Sequence, residues 1–156
     1  MTSRPEMYRF HNGEKSKLPF LNAEYENRLS GLRSIMAKTG VETAVFTSMH
    51  SIAYYSGFLY CSFGRPYGLV VTAKDHVTIS ADIDAGQPWR WSHGDNITYT
   101  DWQRDNFWRA VCKVAGKKSV IGYEGDHLTL DQFAKLNSAL EPDSTINLSI
   151  PIMQQR

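Results

Sequence analysis

The chain has 156 residues, 42% of them hydrophobic and 21% charged, with a formal net charge of +1. That length supports one domain with a buried core, and so small a net charge gives no basis for contact with nucleic acid or an anionic membrane. No apolar run reaches the roughly 18–20 residues a membrane-crossing helix needs, and two cysteines, Cys61 and Cys112, make no disulfide framework, which points to a reducing, cytoplasmic setting.

Residues 1–20 read as an irregular arm, polar and without a signal-peptide core, with a turn at Asn12-Gly13 and a break at Pro19. The domain proper is expected over 21–150. Asn22 is predicted to cap a helix whose Leu29, Leu32, Ile35 and Met36 share one face and which Gly40 ends. Val41 to Thr47 reads as a buried strand. His50 to Ser56 reads as a short helix, opened by Ser48 or His50 and closed by Gly57. Gly68 to Thr72 and Val77 to Ala81 predict a hairpin turning at Lys74-Asp75.

Further on, Asp84 to Trp91 predicts a helix capped by Asp84, with Pro88 in its first turns, and Asn96 to Thr100 a strand. Arg104 to Ala115 predicts a helix with Phe107, Trp108, Val111 and Val114 inward and Asp101 or Asp105 as its cap. Val120 to Tyr123 is strand-like. Thr129 caps a helix to Leu140 with Leu130, Phe133, Leu136 and Leu140 on one face, and Thr145 to Leu148 closes the list. The tail, 151–156, reads as the start of a connector without structure of its own. Strands alternating with helices, plus a hairpin, indicate an α/β fold: a mixed β-sheet flanked by helices.

The chemistry is sparse. His11, His50, His76, His93 and His127 are well separated, none forms an H-x-x-x-H pair, and neither cysteine has a close partner, so no metal site is expected. No nucleophile elbow, dinucleotide loop or Walker loop is present. Cys61 has only Arg65 nearby to activate it and reads as a small buried hydrophobe. Asp82 and Asp84 flank Ile83 and point apart on a strand, so they form no acid–base pair. The crowd of aromatics between Tyr54 and Trp108 fills a core and in part suits a subunit interface.

One stretch stands out: Phe63-Gly64-Arg65-Pro66-Tyr67. Gly64 permits a tight turn, and Pro66 fixes its own φ and biases Arg65 toward extended backbone. A guanidinium on so stiff a turn can clamp a carboxylate through two hydrogen bonds, with Phe63 against a planar or apolar part of the same ligand. The bland alternative pairs Arg65 with Asp82 or Asp84.

These residues carry a resemblance. Phe46-Thr47-Ser48, Tyr54-Tyr55-Ser56, Phe58 through Tyr67, Gly86-Gln87-Pro88-Trp89-Arg90 and Asp101-Trp102-Gln103-Arg104-Asp105-Asn106 resemble the amino-terminal domain of the creatinase family, which also includes prolidase and aminopeptidase P. The resemblance implies the creatinase/prolidase amino-terminal fold and a homodimeric, cofactor-free hydrolase. Its catalytic histidine and glutamates lie in a carboxy-terminal "pita-bread" domain beyond this chain. Creatinase adds water to creatine, without a metal, to give sarcosine and urea. The resemblance assigns no catalytic residue here. It implies that Phe63 and Arg65 bind the small-molecule substrate in the partner subunit's active site. Met49, Ser51, Ala53, Gly57 and Trp91 depart from the family pattern and leave open a related linear amidine or N-substituted amino acid as substrate. An Xaa-Pro peptidase domain and a free-standing dimerisation or binding module are the alternatives.

Overall fold

The computed structural model describes residues 3–11, 13–60 and 64–156. Cys61 and Phe63 lie outside the described residues. The strands are β1 (Met7–Tyr8), β2 (Thr43–Phe46), β3 (Gly68–Thr72), β4 (His76–Ala81), β5 (Asp95–Tyr99), β6 (Val120–Tyr123) and β7 (Ser144–Asn147). They form one seven-stranded sheet in the order β1-β5-β4-β3-β2-β6-β7. The predicted hairpin is there: β3 and β4 pair antiparallel, with Gly68 opposite Ile79, and the Thr72 N–H donates to the Asp75 carbonyl at 2.9 Å to close the turn. β4 pairs with β5, and β2 with β6, in parallel, so the sheet is mixed as expected.

The helices are α1 (Asn22–Thr39), α2 (Met49–Ser56), α3 (Gln87–Arg90), α4 (Asn106–Ala115), α5 (Leu130–Leu140) and α6 (Ser149–Gln155). All four residues of β2 are buried. Successive strand side chains point to opposite faces, so both faces of the sheet's centre are covered. The α4 helix lies on β3, β4 and β5 and against α5, where Trp108 Nε1 donates to Gln132 Oε1 at 3.0 Å. α1 packs against α2 and α6. Tyr55 donates to Gln155 Oε1 at 2.7 Å, and Gln155 Nε2 to the Arg28 carbonyl at 2.8 Å. Leu29, Leu32, Phe46, Ile52, Tyr55 and Leu69 are each fully buried; burial of one such side chain contributes roughly 1.5–3 kcal/mol.

Several sequence expectations are corrected. The arm is not irregular throughout: β1 pairs Met7 with Tyr99 and Tyr8 with Thr98. Two residues are too few for a periodicity to register. Asn22 is the first residue of α1; Leu21 holds the cap position without a side-chain bond. Asp84 caps no helix. It ends a single 3-10 turn, Asp82–Asp84, separated from the four-residue α3. Asp105 takes the cap position of α4 at φ 64°, with no side-chain bond to it. Leu130, the first residue of α5, is 90% exposed. The tail is helical from Ser149 to Gln155. By contrast, Ser48 and Thr129 cap α2 and α5 through side-chain oxygens that accept from Ser51 N and Gln132 N.

The arm is fastened chiefly by Lys15. Its ammonium donates to the carbonyls of Trp89, Ser92 and Gly94 at 2.6, 2.8 and 2.6 Å, and lies 4.5 Å above the Trp89 ring. Burial pulls the Lys15 pKa down to about 8. Trp102 Nε1 holds the other side of the arm, donating to the Pro5 carbonyl at 2.6 Å. No described helix is long and apolar enough to cross a membrane.

Candidate functional site

The turn before β3 presents Arg65 at the open end of the sheet. Gly64 takes φ 79°, a left-handed conformation that residues with a Cβ rarely adopt. The Arg65 side chain is 38% exposed, and its guanidinium pairs with Asp101, not with Asp82 or Asp84. Asp101 stands in the loop after β5. Asn106 folds that loop back by donating through Nδ2 to the Thr100 carbonyl at 2.9 Å.

Aromatic groups hold the turn from beneath. Tyr99 donates to the Pro66 carbonyl at 2.9 Å. Tyr67 is buried and donates to the Asp84 carboxylate, and its ring stacks on Tyr60 at 4.2 Å and 21°. Tyr60 in turn donates to the Thr47 carbonyl at 2.9 Å. Burial pushes the Tyr60 phenol up to about 12. Burial, reinforced by the Asp84 carboxylate, raises Tyr67 as well. Each phenol therefore stays protonated at neutral pH and keeps donating.

Glu124, which the sequence did not single out, anchors the far end of this chain of contacts. It is 5% exposed. Its carboxylate accepts from Thr47 N at 2.8 Å, Ser48 N at 2.9 Å, Ser48 Oγ at 2.6 Å and the Ser51 hydroxyl. A carboxylate at the start of α2 also meets the positive end of the helix dipole. The link runs from Glu124 through Thr47, Tyr60 and Tyr67 to the Arg65 turn. Thr47 and Ser48 belong to a run quoted above, but nothing in their spacing names a partner some 76 residues away.

Arg65 borders three clefts. One of about 490 Å³ is lined by Thr47, Tyr60, Pro66, Tyr67, Phe107 and His127 among others; it falls in the range of small-ligand sites. Another, of about 610 Å³, includes Asp101, Arg104 and Gln132, and a third, of about 360 Å³, includes Leu59, Ile83 and Asp84. The described residues put a cation, aromatic walls and hydroxyl groups around the turn. In the first cleft the Thr47 hydroxyl meets His127 Nδ1 at 2.9 Å. The arrangement can bind and orient an anionic group.

The family model for the Creatinase/Prolidase N-terminal domain matches residues 28–156. The chain belongs to this family. It is 47% identical to a creatinase from Bacillus sp. (strain B-0618) over 150 residues, which cover 94% of this chain and 36% of the creatinase. The chain thus spans about a third of that relative. Solved structures agree on the fold. The creatinase/prolidase N-terminal domain of an X-Pro dipeptidase from Streptococcus pyogenes superposes with TM-score 0.72 at 22% identity, covering 83% of this chain and 98% of that one. A proline dipeptidase from Streptococcus agalactiae 2603V gives TM-score 0.73 at 19% identity, covering 84% and 99%. This creatinase/prolidase N-terminal domain therefore shares its fold with peptidases and much more of its sequence with a creatinase.

Proposed function

We propose that the chain is the amino-terminal domain of a creatinase-type amidinohydrolase. In this reading the whole protein hydrolyses creatine, or a closely related linear amidine: water adds to the guanidino carbon, the bond to the substituted nitrogen breaks, and urea and an N-methylated amino acid leave. The protein works as a homodimer in the cytoplasm with no metal in its catalysis, and this domain alone turns nothing over.

Arg65 would bind the substrate's carboxylate in the partner subunit's active site, and Phe63 would wall that pocket. A guanidinium carries five N–H donors in a planar fork. Arg65, set beside Asp101, can meet a substrate carboxylate through this fork. Neither residue moves a proton; both orient the substrate for groups outside this chain.

The observation that carries the reading is the 47% identity to a creatinase across 94% of the chain. The peptidase structures stand at 22% identity or below. The test is to assay the full-length protein for urea release from creatine and for cleavage of an Xaa-Pro dipeptide. Urea release without peptide cleavage supports the proposal. Peptide cleavage that depends on added metal, with no urea, replaces it with a prolidase-type activity.

A further inference from the structure

Three side chains that take no part in the Arg65 site converge at the other end of the sheet. Glu26 projects from α1, His76 opens β4, and His93 stands in the loop between α3 and β5. His76 lies opposite Val71, near the end of β3, whereas Arg65 precedes its start. One ligand atom from each of the three lies within 4.8 Å of the other two. Glu26 Oε1 and His93 Nε2 are 2.6 Å apart. The two imidazoles sit 5.1 Å apart, 17° from parallel. His76 Nε2 is buried and has no hydrogen-bond partner, an arrangement that costs free energy unless something satisfies it.

We propose that Glu26, His76 and His93 form a binding site for a divalent transition-metal ion, with Zn²⁺ as the best match. Two imidazoles and one carboxylate are a donor set that suits zinc; magnesium and calcium prefer oxygen alone. Tetrahedral coordination places donors roughly 3.4 Å apart, so the widest separation must close by at most about 1.4 Å. Glu26 is exposed and can swing inward on its rotatable side chain. His93 is better fixed, since its N–H donates to the Ser56 carbonyl at 2.6 Å and its ring stacks on Tyr25 at 5.5 Å. Arg33, the nearby cation on α1, is held by its own partners, donating to the Thr72 and Asp75 carbonyls at 3.0 and 3.3 Å. The exposed side of Glu26 leaves room for water as a fourth ligand. The bound ion would staple α1 to the sheet beside the carbonyls of Ser92 and Gly94 that hold Lys15, stabilising the fold by mass action.

The test uses the full-length protein, freed of metal with a chelator and dialysed against Zn²⁺. The wild type should bind one more Zn²⁺ per subunit than a His76→Gln/His93→Gln variant; a metal elsewhere in the protein is common to both and subtracts out. Zinc should raise the Tm of the wild type only. Substitution with Co²⁺ should give visible d–d absorption that the variant lacks. Glu26→Gln should weaken zinc binding by about tenfold or more. If the double variant does not fold, Glu26→Gln decides alone, because its side chain is exposed. Equal zinc stoichiometry in the wild type and the double variant, or unchanged affinity in Glu26→Gln, overturns the proposal and leaves a hydrogen-bonded cluster with a shared proton.

Discussion

Arg65 and Asp101 form an ion pair between the turn before β3 and the loop after β5, so the residue proposed to bind substrate is itself held by a carboxylate. Both side chains are about two-fifths exposed, and pairs of that kind contribute at most about 1 kcal/mol to stability. Asp101 is a positioning residue for Arg65. Asp101→Asn in the full-length protein should leave the urea midpoint nearly unchanged and raise KM by roughly threefold to tenfold, since a charge-assisted contact is loosened without being lost. A large fall in kcat at constant KM would instead place Asp101 in the chemistry.

Removal of Arg65 should do more. A hydrogen bond to a charged group is worth about 1.5–3 kcal/mol, so Arg65→Ala should raise KM by between tenfold and about a hundredfold, with kcat falling less. Arg65→Lys should recover only part of the loss, because an ammonium lacks the planar fork. The cross-subunit role has its own measurement. Mixed dimers of Arg65→Ala subunits with subunits lacking the catalytic histidine should regain activity, and an absence of complementation would confine Arg65 to its own subunit.

Glu124 should prove to be a stability residue. Glu124→Gln keeps the volume but removes the charge and turns one acceptor into a donor facing the N–H and hydroxyl groups that now donate to it. A loss of about 2–4 kcal/mol is expected, the scale for a broken buried charge-assisted network. Urea denaturation of the full-length protein measures it. Activity should fall in parallel, since Thr47 carries the hydrogen bond from Tyr60 toward the Arg65 turn.

Gly122 tests packing at the centre of β6. A Cβ there would lie 2.4 Å from Leu148 Cδ1 and 2.9 Å from Val41 Cγ1. Both neighbours are buried, so Gly122→Ala should destabilise by about 1–3 kcal/mol through overpacking. A double variant that also carries Leu148→Ala should recover part of this loss relative to the sum of the two single changes.

The alkaline limb of stability should be set by tyrosines. Burial raises the pKa of Tyr55, Tyr60, Tyr67 and Tyr99 above 10.0, with Asp84 adding to Tyr67 and Asp101 to Tyr99. Above pH 10 the unfolded chain loses these protons while the native state keeps them. The unfolded state then binds fewer protons, and stability falls as pH rises. Each tyrosine contributes a slope of up to about 1.4 kcal/mol per pH unit, from pH 10 until its native phenol ionises. Urea midpoints at pH 8 and pH 11 should differ accordingly, and tyrosinate absorbance should appear with unfolding rather than before it.

What the sequence made legible was local. The hairpin, the caps at Ser48 and Thr129 and the stops at Gly40 and Gly57 are written within a few residues, and each is found where it was read. The Gly64-Arg65-Pro66 turn was legible for the same reason. The partner of Arg65 was not: Asp101 lies 36 positions away and looked like a helix cap. Glu124, and the meeting of Glu26, His76 and His93, depend on how β2 pairs with β6 and β4 with β5. Spacing rules for metal ligands see only neighbours along one element, so they pass over donors drawn from a helix, a strand and a loop.

The two-residue strand β1 has a consequence out of proportion to its length. It occupies the free edge of β5 at Thr98 and Tyr99, while Lys15 and Trp102 keep the arm from peeling away. Removal of β1 would take away the packing of Met7 against the core. It would also leave β5 an uncovered edge at Thr98 to Thr100, the kind of template on which separate molecules add to one another. In this domain a stretch that looks dispensable acts as a guard against aggregation.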